Sequence, residues 1–139
     1  MVEIVESLAG TGRKYVVLQA RVRDGKLHIQ GKGTPANRPY GVAVDVSIPD
    51  DLREWFEEQN HTLPSLANTD AMYVPIQARI KDGLIHVQVK GNKPYNRSYG
   101  AAFDIKGAEV LKSFLTTVAL HEGIIDDWIN HPEEGEASE

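Results

Sequence analysis

Apolar and polar residues alternate in the same way at two places along this chain. Tyr15 to Gly33 reads YVVLQARVRDGKLHIQGKG and Tyr73 to Gly91 reads YVPIQARIKDGLIHVQVKG, identical at 11 of 19 positions at a constant offset of 58. Alternation on either side of Asp24-Gly25 and of Asp82-Gly83 predicts two β-hairpins, each closed by a two-residue turn. The turns fix the register. Val22 then faces Leu27 and Ala20 faces Ile29, while Ile80 faces Ile85, Ala78 faces Val87 and Ile76 faces Val89, which makes one face core. The other face pairs Arg21 with His28 and Gln19 with Gln30, then Arg79 with His86 and Gln77 with Gln88, and its polarity places it toward solvent.

A second matching stretch follows each hairpin. Asn37 to Val46 (NRPYGVAVDV) and Asn96 to Ile105 (NRSYGAAFDI) agree at 6 of 10 positions. A third strand is predicted over Tyr40 to Val46 and again over Tyr99 to Ile105, with Val42, Val44 and Val46, or Ala101, Phe103 and Ile105, on one face. Gly41, Ala43 and Asp45, repeated as Gly100, Ala102 and Asp104, share the other. Ser47-Ile-Pro-Asp50 reads as a capped helix start with an early proline, and Leu52, Trp55 and Phe56 fall on one side of that helix. The second helix is expected over Ala108 to Leu120, with Val110, Leu111, Phe114, Leu115 and Val118 as its apolar stripe, ended by Gly123. A short helix over Ile124 to Asn130 packs Ile125, Trp128 and Ile129. MVEIVES at the start reads as an edge strand without a counterpart in the second copy.

A unit of fifty to sixty residues buries only a marginal core. The expected architecture is therefore α+β: two tandem β-hairpin-β-α repeats packed as an intramolecular pseudo-dimer, with antiparallel sheets and helices on one face. The first repeat spans 1–60, a linker 61–71, the second repeat with a short C-terminal extension 72–130, and a disordered acidic tail 131–139. The chain has no cysteine, which excludes a disulfide framework and a thiolate zinc site. It also lacks a long apolar run and a signal-peptide pattern, so no membrane partner is expected and the location is read as intracellular, cytoplasmic or nucleoid-associated.

Charge changes the picture. The total is −5, yet residues 11–46 and 73–107 together carry +9, and the acids concentrate in the helices, linker and tail. A basic sheet beside an acidic back is the electrostatic footprint of a surface that tracks phosphates. The candidate contacts are Tyr15, Gln19, Arg21, Arg23, His28, Gln30, Lys32 and Arg38 in the first copy, and Tyr73, Gln77, Arg79, Lys81, His86, Gln88, Lys90 and Arg97 in the second. Arg and Lys suit phosphate, Gln and His suit bases or sugars, and tyrosines suit base stacking. Charges on a solvated sheet that discourage edge aggregation are the alternative. Asn37-Arg38 and Asn96-Arg97 either approach phosphate or close structural turns onto Asp45 and Asp104.

Enzyme signatures are missing. His121-Glu122 lacks the second histidine of a zinc-protease helix, no serine sits in a nucleophile elbow, and His28 and His86 face arginines instead of carboxylates in the hairpin register. The reading is a non-enzyme without cofactor. His121, Glu122, Asp126, Asp127 and His131 are close enough in sequence to be weighed as a metal cluster.

The basic hairpin sheet leading through a further strand into an amphipathic helix, written twice, resembles the single-stranded nucleic-acid-binding group that includes the Whirly proteins, the PUR repeats and the positive-cofactor-four-type coactivators. PUR repeats are similar also in forming an intramolecular pseudo-dimer from two copies. The resemblance implies binding of single-stranded DNA or RNA across the two sheets, with Arg21, His28, Lys32, Arg79, His86 and Lys90 central. A homodimer, or a basic protein held by the acidic tail, are the further partners considered. The competing functions are a protein-interaction or virus-encoded regulatory module and a small-ligand binder between the repeats.

Overall fold

Asp24 and Gly25, like Asp82 and Gly83, have positive φ at both turn positions, 53° and 78° in one hairpin and 52° and 79° in the other. Two left-handed residues in succession match the right-handed twist of the flanking strands, which is why Asp-Gly closes them so tightly. In this computed structural model the residues described are 3–8, 10, 12–32, 42–66, 70–91 and 100–130. They form β1 (Ile4–Glu6), β2 (Lys14–Arg23), β3 (Lys26–Gly31), β4 (Val42–Val46), α1 (Asp50–Glu57), β5 (Leu63–Pro64), β6 (Met72–Lys81), β7 (Leu84–Lys90), β8 (Gly100–Ile105), α2 (Glu109–Glu122) and α3 (Ile125–Asn130). The class is α+β, with every strand pairing antiparallel.

Both hairpins have the register expected from their turns, Arg21 opposite His28 and Arg79 opposite His86. The two copies join through their first long strands. The sheet runs β4-β3-β2-β6-β7-β8, and β2 pairs with β6 so that Leu18 stands opposite Ile76 and Val16 opposite Ala78. Leu18 and Ile76 are the same position of the repeat.

The helices cover the apolar face. Leu52, Trp55 and Phe56 of α1 and Leu111, Leu115, Val118 and Ala119 of α2 are buried against Leu18, Ala20, Leu27, Ile29, Ile76, Val87 and Val89. Each helix reaches across the middle of the sheet. Phe56 of α1 meets Phe103 of β8 edge-on at 6.0 Å, and α2 packs on β4 of the first copy. The ring of Phe114 sits so close over Gly31 that a Cβ there would lie 3.0 Å from it. Gly123 ends α2 in the left-handed conformation, φ 76°, as only glycine does freely.

Several expectations need correction. Pro49, not Ser47, is the cap residue of α1, and no side chain caps that helix. Ile129 is 70 % exposed, so of the three residues expected to pack from the last helix Trp128 is buried and Ile129 is not, and Val110, expected in the apolar stripe of α2, points outward while Leu111, Leu115 and Val118 are buried. The stretch read as linker holds β5, which pairs with β6 (Leu63 opposite Tyr73) as β1 pairs with β2 (Val5 opposite Tyr15). β1 therefore does have a counterpart. Among the described residues no helix is long and apolar enough to cross a membrane. The acidic tail and the loops holding Arg38 and Arg97 lie outside the described residues.

Candidate functional site

Alternation along β2, β3, β6 and β7 sends Gln19, Arg21, His28, Gln30, Gln77, Arg79, His86 and Gln88 to the face away from α1 and α2. Most of that face is not solvated. Gln19, His28, Gln30, Gln77, Arg79, His86 and Gln88 are buried, as are Tyr15 and Tyr73. Two straps and the last helix exclude water from them.

Each strap lies on the copy to which it does not belong. Residues 6–8 of the first copy cross onto the second, where the Leu8 backbone N–H donates to Gln88 Oε1 at 2.8 Å and Gln77 Nε2 donates to the Glu6 carbonyl at 3.1 Å. Residues 64–66 of the second copy cross onto the first. There the Leu66 N–H donates to Gln30 Oε1 at 3.0 Å and Gln19 Nε2 donates to the Pro64 carbonyl at 3.0 Å. Gln19 Nε2 also donates to Gln30 Oε1 at 3.2 Å, and Gln77 Nε2 to Gln88 Oε1 at 3.0 Å. A glutamine amide offers donors and acceptors on one flat group, so a pair of them holds an extended strap through its backbone and leaves its polar atoms satisfied. This gives the repeated glutamines a structural reason. Ser7-Leu8-Ala9 and Ser65-Leu66-Ala67 recur at the same offset of 58, and Thr11 and Thr69 continue the match, so the straps were visible as a repeat in the sequence.

The histidines have carboxylate partners after all. His28 Nδ1 lies 2.8 Å from Asp45 Oδ1 and His86 Nδ1 lies 2.8 Å from Asp104 Oδ1. The carboxylates come from β4 and β8, whose registers place Asp45 opposite His28 and Asp104 opposite His86. The hairpin register alone, which shows only Arg21 and Arg79 as neighbours, misses them. Across the copies, the Tyr15 ring packs on His86 at 6.2 Å and the Tyr73 ring on His28 at 6.0 Å. Burial pushes the His86 pKa below its ordinary value, against the pull of Asp104. Burial raises the Asp45 carboxyl, but the hydrogen bond from His28 and the charges of His28 and Arg23 outweigh it, so its pKa lies below the usual one.

Arg79 and Arg21 hold equivalent positions and differ in environment. Arg79 is fully buried and donates to the Trp128 carbonyl of α3 at 3.2 Å. α3 is itself anchored by Asp127, which accepts the Lys14 N–H at 2.9 Å, and by Trp128 Nε1, which donates to the Lys14 carbonyl at 2.7 Å. Among the described residues no equivalent of α3 follows α1. Arg21 is therefore only half-buried, its guanidinium 5.9 Å from the centre of the Tyr73 ring.

Lys32 and Lys90 are exposed and also sit at equivalent positions, one on each side of the Leu18–Ile76 row. Lys32 lines a cleft of about 100 Å³ with Glu3, Val17, Gln19, Gln30 and Leu66. Lys90 lines one of about 290 Å³ with Glu58, Asn60, Thr62, Pro75 and Gly91. Arg23 is exposed but paired with Asp45 at 3.3 Å, and Lys81 is half-buried at the second turn. Of the sixteen candidates named from the sequence, then, nine are interior, five remain partly or fully open, and Arg38 and Arg97 fall outside the described residues. Among the described residues no three His, Asp or Glu side chains converge as a metal site. No family model, no curated protein and no solved structure matches this chain.

Proposed function

We propose that this chain is a non-catalytic, single-stranded nucleic-acid-binding module, built as an intramolecular pseudo-dimer, whose contact surface is the strip around the Leu18–Ile76 row instead of the polar sheet face as a whole. The observation that carries it is the pair Lys32 and Lys90. They are repeated, open to solvent, and each stands beside a cleft and at the foot of a glycine-bearing loop. In sequence Arg38 follows Lys32, and Lys93, Tyr95 and Arg97 follow Lys90, all four outside the described residues. A strand of nucleic acid crossing from one lysine to the other would meet cations first and Pro75 and Val17 between them, which suits sequence-independent phosphate contact.

Further support comes from four strands and a helix in each unit, the count found in the Whirly and PUR groups, and from the exchange of straps and helices between the copies. The His-Asp pairs, with buried imidazoles and exposed carboxylates, favour a structural role, because tyrosine rings and a glutamine amide pack against the imidazoles. At about 290 Å³ the larger cleft falls at the lower limit of small-molecule sites, roughly 300–1,000 Å³. It accommodates a phosphate or a base edge more readily than a whole metabolite.

The test is a fluorescence-anisotropy titration of single- and double-stranded oligonucleotides at two salt concentrations, with the parent chain and with Lys32→Ala/Lys90→Ala. Preferential single-strand binding that falls with salt, and that weakens with a shallower salt slope in the double variant, is expected from counterion release. Absence of binding at low salt, or an unaffected double variant, would remove the proposal.

A further inference from the structure

The two helices that end the repeats differ on their outward sides. On α1 the exposed positions are Asp50, Asp51, Glu54 and Glu57, all acidic. On α2 the outward side carries Val110, Ser113, Thr117 and Leu120, with Glu109 at one end and His121 at the other. Val110 and Leu120 are 66 % and 62 % exposed. The Thr117 hydroxyl donates to the Ser113 carbonyl at 3.0 Å inside the helix, which satisfies it locally and leaves its methyl available outward. A chain with net charge −5 thus keeps the middle of one helix face free of charge, where charged residues would serve solubility better.

The order of residues on that face is self-complementary. Two α2 helices packed antiparallel, with the two-fold axis at the level of residue 115, place Val110 against the partner's Leu120, Ser113 against the partner's Thr117, and Glu109 against the partner's His121. All six side chains fall within about a third of the helix circumference at 100° per residue. The small residues at the centre allow close approach, the apolar pairs flank them, and an acid meets an imidazole at each end. Antiparallel alignment also sets each helix's positive end beside the other's negative end. α1 offers no such match, since its outward acids would oppose acids.

We infer that the outer face of α2 is an isologous docking surface for a second copy of this chain. A single helix-on-helix contact is smaller than the roughly 1,200 Å² at which standard interfaces begin, so the dimer is a weak, concentration-dependent one. Its axis lies on the helix side of the sheet. The clefts beside Lys32 and Lys90 contain no residue of α2, so the inference stands independently of the binding function.

Sedimentation velocity on the full chain over a range of concentrations tests it, with Val110→Glu and Leu120→Glu as separate variants. Both positions are exposed, so folding, read by circular dichroism and thermal unfolding, should be unchanged. The parent should pass from monomer toward dimer as concentration rises, and either variant should raise the dissociation constant by roughly tenfold or more. Because the chain has no cysteine, the geometry can be read separately. A mixture of Ser113→Cys and Thr117→Cys chains should form a disulfide-linked heterodimer under mild oxidation, faster than either variant alone. A parent that stays monomeric at all concentrations, a dimer that both glutamate variants leave intact, or cross-linking without preference for the mixed pair would each overturn it.

Discussion

Leu18 stands directly opposite Ile76 in the antiparallel ladder between the two copies, and the two residues occupy the same position of the repeat. A ladder centred on equivalent positions is symmetric about that point. Other crossings come in pairs about it: Tyr15 on His86 and Tyr73 on His28, residues 6–8 on Gln88 and residues 64–66 on Gln30. Departures from symmetry are consequently informative, and Arg79 is the largest.

Replacing Arg79 by Ala should destabilise the fold by on the order of 3 kcal/mol, because a fully buried side chain is removed and the Trp128 carbonyl loses its charged donor. Arg21→Ala should cost no more than about 1 kcal/mol, the value of a partly exposed cation–π contact. Urea unfolding of the two variants checks this, and equal losses would contradict the different roles given to α3.

Gln88→Leu should cost about 1–3 kcal/mol, since it strands the half-buried Leu8 N–H and removes the acceptor of the buried Gln77 amide. The loss should be accompanied by faster amide exchange at Leu8 than at residues of β2, measured by NMR.

Gly31→Ala should destabilise by about 1–3 kcal/mol through overpacking. The added methyl would lie 2.6 Å from Leu18 Cδ2 and 3.0 Å from the Phe114 ring. Combining it with Phe114→Leu should recover part of the loss, a coupling measurable in a double-mutant cycle.

Stability should fall on mild acidification. The folded pKa of His86 is depressed, so the unfolded chain takes up the proton first, and stability present above the unfolded value near 6.5 declines as pH drops below it. The depressed Asp45 adds a second loss at lower pH, as pH falls from its unfolded value of about 3.8 through its lower folded one. Denaturation midpoints measured from pH 7.5 to 4 should show the first decline in the parent and a smaller one in His86→Gln.

The hairpins, their register, the apolar side of α1 and the stop at Gly123 were legible because each is decided within a dozen residues. Alternation showed that the sheet has an apolar and a polar face. It did not show that the polar one is dry, since its cover comes from residues about 80 positions away, as in the contact of Leu8 with Gln88. The Asp45 and Asp104 partners were readable in principle. Both had been placed on one face with Ala43 and Ala102, and only the β3-β4 and β7-β8 registers were needed to bring them to His28 and His86. Lys32 and Lys90 carry the same charge as the other basic candidates. Their distinction from the buried candidates depends on where the straps end.

The exchange of straps and helices has a consequence for how such a chain can originate. One unit alone has nothing to lay over its own glutamines and leaves its helix extending past its own sheet, so it could close a core only by meeting a second copy, at a rate and extent set by concentration. Joining two units through the few residues between α1 and β5 turns that encounter into an intramolecular one. After fusion the halves no longer have to remain identical. Arg79 with its α3 differs from Arg21 without one, as the acidic outer side of α1 differs from the outer side of α2, whose middle carries no charge.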